Sequence, residues 1–144
     1  MCAERLQWLE VQLNQQRHWP VVVAMHHSPF ETLIGHMDAI GLLQGSVALE
    51  ALVARHPNVE CVICGPLHRA TQVRFAGTIA ATAPSPAHQV YLDLAPDAAS
   101  AWTLEPPCFG LHALASGWRL VSHTGSSGQH DGPYPFHVGC GLID

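Results

Sequence analysis

Apolar positions along the first 64 residues change rhythm four times. Leu6, Leu9 and Leu13 fall at helical spacing with Trp8 beside them, which predicts a helix over Ala3–Arg17. Val21–Met25 then reads VVVAM, a continuous apolar run that fits a strand buried on both faces, as in a parallel sheet. His27 to Met37 is broken by Pro29 and Gly35 and reads as a loop, with Asp38 placed to cap a short helical turn. Val47–His56 is a mostly apolar helix that stops before Pro57. Val59–Cys64, VECVIC, is a second apolar strand; it runs into the turn pair Gly65-Pro66 and then presents His68 and Arg69.

Strand, helix, strand within one short stretch is a βαβ unit, whose crossover is right-handed and whose strands are parallel. Both strands then end at one edge of the sheet, so His26 and His68 are expected near one another. Carboxyl ends of parallel strands are where α/β proteins carry their chemistry. After Ala70 the texture changes. Thr71–Phe75, Thr78–Thr82, Gln89–Leu94, Ala101–Leu104, Gly110–Leu114 and Trp118–His123 read as short strands separated by Gly and Pro turns, the pattern of an antiparallel meander. The tail from Gly125 to Asp144 is rich in Gly, Pro and Ser, and its GPYPF at Gly132–Phe136 cannot form a regular helix.

Composition narrows this α/β picture. A length of 144 residues is one domain, and a 48% hydrophobic content suffices for a packed core. The net charge of −5, with six Arg and no Lys, argues against a nucleic-acid backbone as partner. No apolar run approaches the roughly 18 residues of a membrane span, and the charged start CAERLQWLE lacks a signal-peptide core. Five Cys are an odd number without framework spacing, so a reduced, cytoplasmic setting is expected. Cys61 and Cys64 form a C-x-x-C, but inside an apolar strand residues three apart face opposite ways. They read as buried core thiols rather than zinc ligands or a redox pair.

Eleven His direct attention to histidine chemistry. The runs VVVAMHHSPF, MDAIGLL, LVARHPNVECVICGPLHR, TIAATAPSPAHQVYLDL, TLEPP and GPYPF occur in the order seen in the calcineurin-like metallophosphoesterases. The chain most resembles their class III cyclic-nucleotide phosphodiesterases and the related bacterial glycerophosphodiesterases. The resemblance implies a four-layer α/β/β/α sandwich, of which this chain is the C-terminal half. It also implies a binuclear divalent metal centre of Mn, Fe or Zn that hydrolyses small phosphodiesters. On that reading residues 1–124 are a partial domain and 125–144 a tail for oligomer contacts, with a homodimer or higher oligomer covering the sheet face that a half-fold leaves bare.

The family's first half supplies an Asp-x-His pair, a bridging Asp and an Asn ligand, and none of these is present here. The resemblance places metal ligands at His26 and at His68, the last residue of a Gly-His-x-His motif that here reads Gly65-Pro66-Leu67-His68. The motif's first His has become Pro66, which cannot ligate. One imidazole per metal does not hold a divalent ion against water, so this chain alone is not expected to assemble the centre. His26 and His68 also admit a plainer reading as strand-end histidines bonded to carbonyls. His27 would orient its neighbour. His88 would touch the substrate phosphate or make a local hydrogen bond. Arg69 would grip a phosphate bidentately or form a salt bridge. His36 and Asp38 read as loop and cap, and His112, His123, His130 and His137 as exposed. No residue is assigned as catalytic. Two functions follow: a phosphodiesterase fragment inactive alone, or a non-catalytic degenerate homologue acting as a binding or oligomerisation module. A different enzyme built on the His cluster has no positive support, since Ser28 beside His26 has no triad around it.

Overall fold

Apolar spacing makes helix α1 (Ala3–Gln15), which ends two residues sooner than its periodicity predicts. Beyond its end Arg17 Nε donates to Asn14 Oδ1 at 3.1 Å. The computed structural model describes residues 1–135 in full and the backbone of His137–Val138 and Gly141–Leu142, which pair antiparallel. Phe136, Cys140 and the side chain of His137, with the far part of the tail expected to make oligomer contacts, lie outside the described residues.

Strand β1 (Val21–Met25) is followed by the short turn α2 (Gly35–Asp38), helix α3 (Ser46–Ala54) and strand β2 (Val59–Cys64). Asp38 Oδ1 accepts from both Thr32 N–H and Thr32 Oγ1 at 2.7 Å, so it secures the loop entering α2. Helix α3 begins at Gly45, whose φ of +83° suits glycine. β1 and β2 pair in parallel, Val23 against Val62 and Met25 against Cys64. The sheet continues with β3 (Thr71–Phe75) and β4 (Thr78–Thr82) in the order β1-β2-β4-β3. β4 therefore lies between its own hairpin partner, antiparallel, and β2, parallel.

One face of the sheet packs on α1 and α3. Leu13, Leu49, Leu52 and Val53 meet Val23, Val62, Cys64, Phe75 and Ala80 there in the main core. The opposite face is partly bare: β1 is an edge strand, and Val22 is 41% and Ile79 44% exposed. Burial of β1 on both faces, expected from its composition, is thus not observed: Val23 faces the helices, whereas no described layer covers Val22 on the other side.

The six strands expected as one meander divide into three separate pairs. β3 and β4 complete the main sheet. β5 (Gln89–Val90) and β6 (Trp102–Thr103) touch over only two residues each. β7 (Cys108–Ala115) and β8 (Arg119–Ser126) form a long hairpin of their own. Short strands bounded by turns declare that they pair, not with whom.

The C-x-x-C lies within β2 with its two thiols on opposite faces, Cys61 being 3% and Cys64 1% exposed. Burial pushes both thiols up; Cys64 reaches about 12, first through burial and then through the charge of Cys61. Since the thiolate is the reactive form, brief alkylation with iodoacetamide at pH 8 should modify the exposed Cys2 and spare Cys61 and Cys64 until the chain is denatured. Peptide mapping that found Cys64 modified as fast as Cys2 would mean that β2 is not a core strand.

Candidate functional site

The parallel pairing of β1 and β2 extends one residue beyond the strands. Gly65 N–H donates to the His26 carbonyl at 3.1 Å, which puts the exit of β1 beside the exit of β2. A Cβ on Gly65 would lie 3.7 Å from His26 Nδ1, so the His26 ring sits over the glycine. His26 and His27 are both exposed, and their rings meet edge to face at 4.9 Å. His27 contacts its neighbour through that ring packing.

After Pro66 the chain turns down to bury Leu67 completely and then lifts His68 at a left-handed φ of 54°. The side-chain partner of His68 is His88: His68 Nδ1 and His88 Nε2 are 3.2 Å apart and the ring centroids 4.7 Å. His88 in turn meets Trp102 edge to face at 5.6 Å. The loop that carries His88 is bonded to the backbone of His68. Ser85 N–H donates to the His68 carbonyl at 3.0 Å, Ser85 Oγ accepts from Ala87 N–H at 3.0 Å, and Gln89 Nε2 donates to the Ser85 carbonyl at 2.7 Å. Ser85 and Gln89 are both buried.

Arg69 braces the same region from below. Its Nε donates to the Val90 carbonyl at 2.8 Å, its Nη2 pairs with the Glu105 carboxylate, and its side chain is only 16% exposed. Its carbonyl accepts from Thr82 Oγ1. The guanidinium is thus engaged within the protein. Trp102 and Glu105 are the neighbours that sequence reasoning did not single out. Only the pairing of β5 with β6, which sets Val90 opposite Trp102, brings them here. His36 keeps a buried Nδ1 without a partner among the described residues. His112, expected to be exposed, is half-buried and bonds Ser122 Oγ across the hairpin at 2.8 Å.

No family model matches the chain. Individual relatives do. The chain is 40% identical over its full length to a probable glycerophosphodiester phosphodiesterase, GpdQ, of Arcobacter nitrofigilis, of which it spans 53%. It is 33% identical over 92% of its length to the glycerophosphodiester phosphodiesterase GpdQ of Enterobacter lignolyticus, spanning 48% of that protein. The 3',5'-cyclic adenosine monophosphate phosphodiesterase CpdA of Escherichia coli is 25% identical over 81% of the chain. The chain belongs to the class III metallophosphoesterases. It spans about half the length of the curated relatives it matches.

Class III metallophosphoesterase relatives imply a divalent metal cofactor, but the donors described here do not fit a two-metal centre. Among the described residues no three His, Cys, Asp or Glu side chains converge on a point that could hold an ion. At the first His position of the family's motif stands Pro66, and the second, His68, faces His88. The carboxylate at the site's edge, Glu105, is paired with Arg69. The edge can present imidazoles to a ligand, but among the described residues it lacks the anionic groups that two neighbouring dications require.

Proposed function

We propose that this chain is the carboxyl half of a metal-dependent phosphodiesterase for small phosphodiesters, of the glycerophosphodiester or cyclic-nucleotide kind, and that it does not hydrolyse them alone. The observation that carries this reading is the 40% identity across the whole chain to a protein named for glycerophosphodiester hydrolysis, of which the chain spans 53%. The position of His26 at one parallel strand exit and of His68 just past the other supports it. In this reading His26 and His68 are metal-ligand positions, and His27 and His88 line the approach of the phosphate. Arg69 acts through its hold on Val90 and Glu105 rather than by gripping phosphate. The remaining donors, and the Mn, Fe or Zn they would hold, belong to the half of the relatives' length that this chain does not span.

The bare sheet face bears on partners. Besides Val22 and Ile79, the β7–β8 hairpin exposes Phe109, Leu111, Leu114 and Val121. A two-stranded hairpin has little stability by itself, and so much apolar surface invites an isologous contact. In the isolated chain a second copy covers it. The alternative of a non-catalytic binding or oligomerising homologue is favoured by Pro66, and by the engagement of His68 with His88.

The test is hydrolysis of bis(p-nitrophenyl) phosphate in Mn2+, with light scattering on the same sample. The chain alone should stay at the blank rate and scatter as a dimer or larger. A mixture with the separately expressed first half of a GpdQ relative should exceed the blank. A mixture that stays at the blank would favour the non-catalytic reading. A monomer of 15.5 kDa at micromolar concentration would rule out the second copy.

A further inference from the structure

We infer that the Trp102 ring is a stacking platform for a flat aromatic group, so that the phosphodiesters taken at this strand edge are those that carry a nucleobase rather than glycerol alone. The inference rests on the phosphodiesterase reading of that edge and narrows its substrate class. Indole is a side chain that a fold usually covers, yet Trp102 is 64% exposed. Its partner across the β5–β6 pair, Val90, is buried. Residues directly opposite on paired strands project to the same face, so the arm buries one of the two and holds the other out. An indole that open has at least one free face. His88 meets it with 64° between the ring planes, an edge contact that leaves a face for a second ring.

Position points to a nucleotide. In a nucleotide one ribose stands between base and phosphate. Here one imidazole, His88, stands between Trp102 and His68, with ring centroids 5.6 Å away on one side and 4.7 Å on the other. A phosphate held at the histidine edge therefore leaves its base within reach of the indole, whereas glycerol has no π face to stack. The platform is also fixed before a ligand arrives. Arg69 grips both strands of the arm that carries Trp102: its Nε donates to the Val90 carbonyl at 2.8 Å, and its Nη2 pairs with Glu105, three residues past Trp102. A ring held in this way loses little freedom on binding. Every base has a π face, so the platform favours a base without choosing which one.

The experiment is calorimetric titration of the whole chain with AMP and with ribose 5-phosphate, two probes that differ only in the base. AMP should bind at least about fivefold more tightly, the low end of what one stacked base contributes. Trp102→Leu should bring AMP down to the level of ribose 5-phosphate. Trp102→Phe keeps an aromatic face and should retain most of the difference. Trp8→Phe, a change at an exposed indole on α1, should bind AMP as the native chain does.

A native chain that binds both probes equally, or neither, would overturn the platform, and so would a preference for AMP that survives Trp102→Leu. A Trp102→Phe chain no better than Trp102→Leu would reduce Trp102 to a packing residue and overturn it too. Neither probe is turned over in this titration. Its failure would therefore strike the platform alone, while the diesterase reading stands or falls with hydrolysis of bis(p-nitrophenyl) phosphate.

Discussion

Substituting Pro66→His is expected to raise zinc affinity at least about tenfold over the native chain, while diesterase turnover by the chain alone stays at the blank. Pro66 follows Gly65, which lies against His26, and precedes Leu67 and His68. An imidazole at this position adds a third nitrogen donor between the two strand exits, and three protein ligands are what an open zinc site typically uses. The backbone cost is small. Loss of the proline ring relaxes the unfolded chain at a cost of about 0.4–1 kcal/mol, and the restored N–H can reach water because position 66 is only half-buried. Activity does not follow, since no bridging carboxylate is gained. With the first half of a relative added in trans, Pro66→His should gain far more turnover than the native chain. Equal zinc affinity in native and variant chains would show that the His26 and His68 side chains do not converge with position 66, and the reading of His26 and His68 as ligand positions would fall with it.

Leu67→Ala is expected to cost about 2–5 kcal/mol, the range for truncating a buried leucine, measured as a fall in the urea midpoint. Leu67 is 0% exposed and packs with Ile34 and Val90 in a cluster separate from the main core. That cluster lies under the site. Leu67 directly precedes His68, and the carbonyl of Val90 accepts from Arg69. A cavity there should loosen the contact between His68 and His88 as well as the fold. Leu43→Ala is the matched control: Leu43 is 73% exposed, and such surface changes usually stay within about 0.5 kcal/mol. Since domains are stable by only about 5–15 kcal/mol, the larger loss is easily measured. A Leu67→Ala chain as stable as the control would mean that the loop under the site is not packed.

The elements of the first half of the chain are legible from local pattern. Helical spacing of Leu6, Leu9 and Leu13, and the apolar runs at Val21 and Val59, correspond to α1, β1 and β2 within two residues. The parallel pairing of those strands follows from the helix between them, because a crossover leaves little choice of direction or hand. The second half is less legible. Its turns are marked by Gly and Pro, but β4 joins the parallel sheet while β7 and β8 leave it. Strand partners are chosen by burial across the whole sheet and not by the strand's own residues.

The same division holds at the site. The sequence determined which imidazoles stand at strand exits: His26 follows an apolar strand directly, and His68 follows a Gly-Pro turn, so both positions are local facts. It also determined what is missing, since no fold can turn Pro66 into a ligand. Only the tertiary structure decided the partner of His68. His88 is 20 residues away in a loop whose position depends on buried Ser85 and Gln89, and Trp102 and Glu105 arrive from farther still. Contacts over such separations depend on closing the intervening loops against their entropy. The packing that closes them is collective, so no single stretch of residues records it.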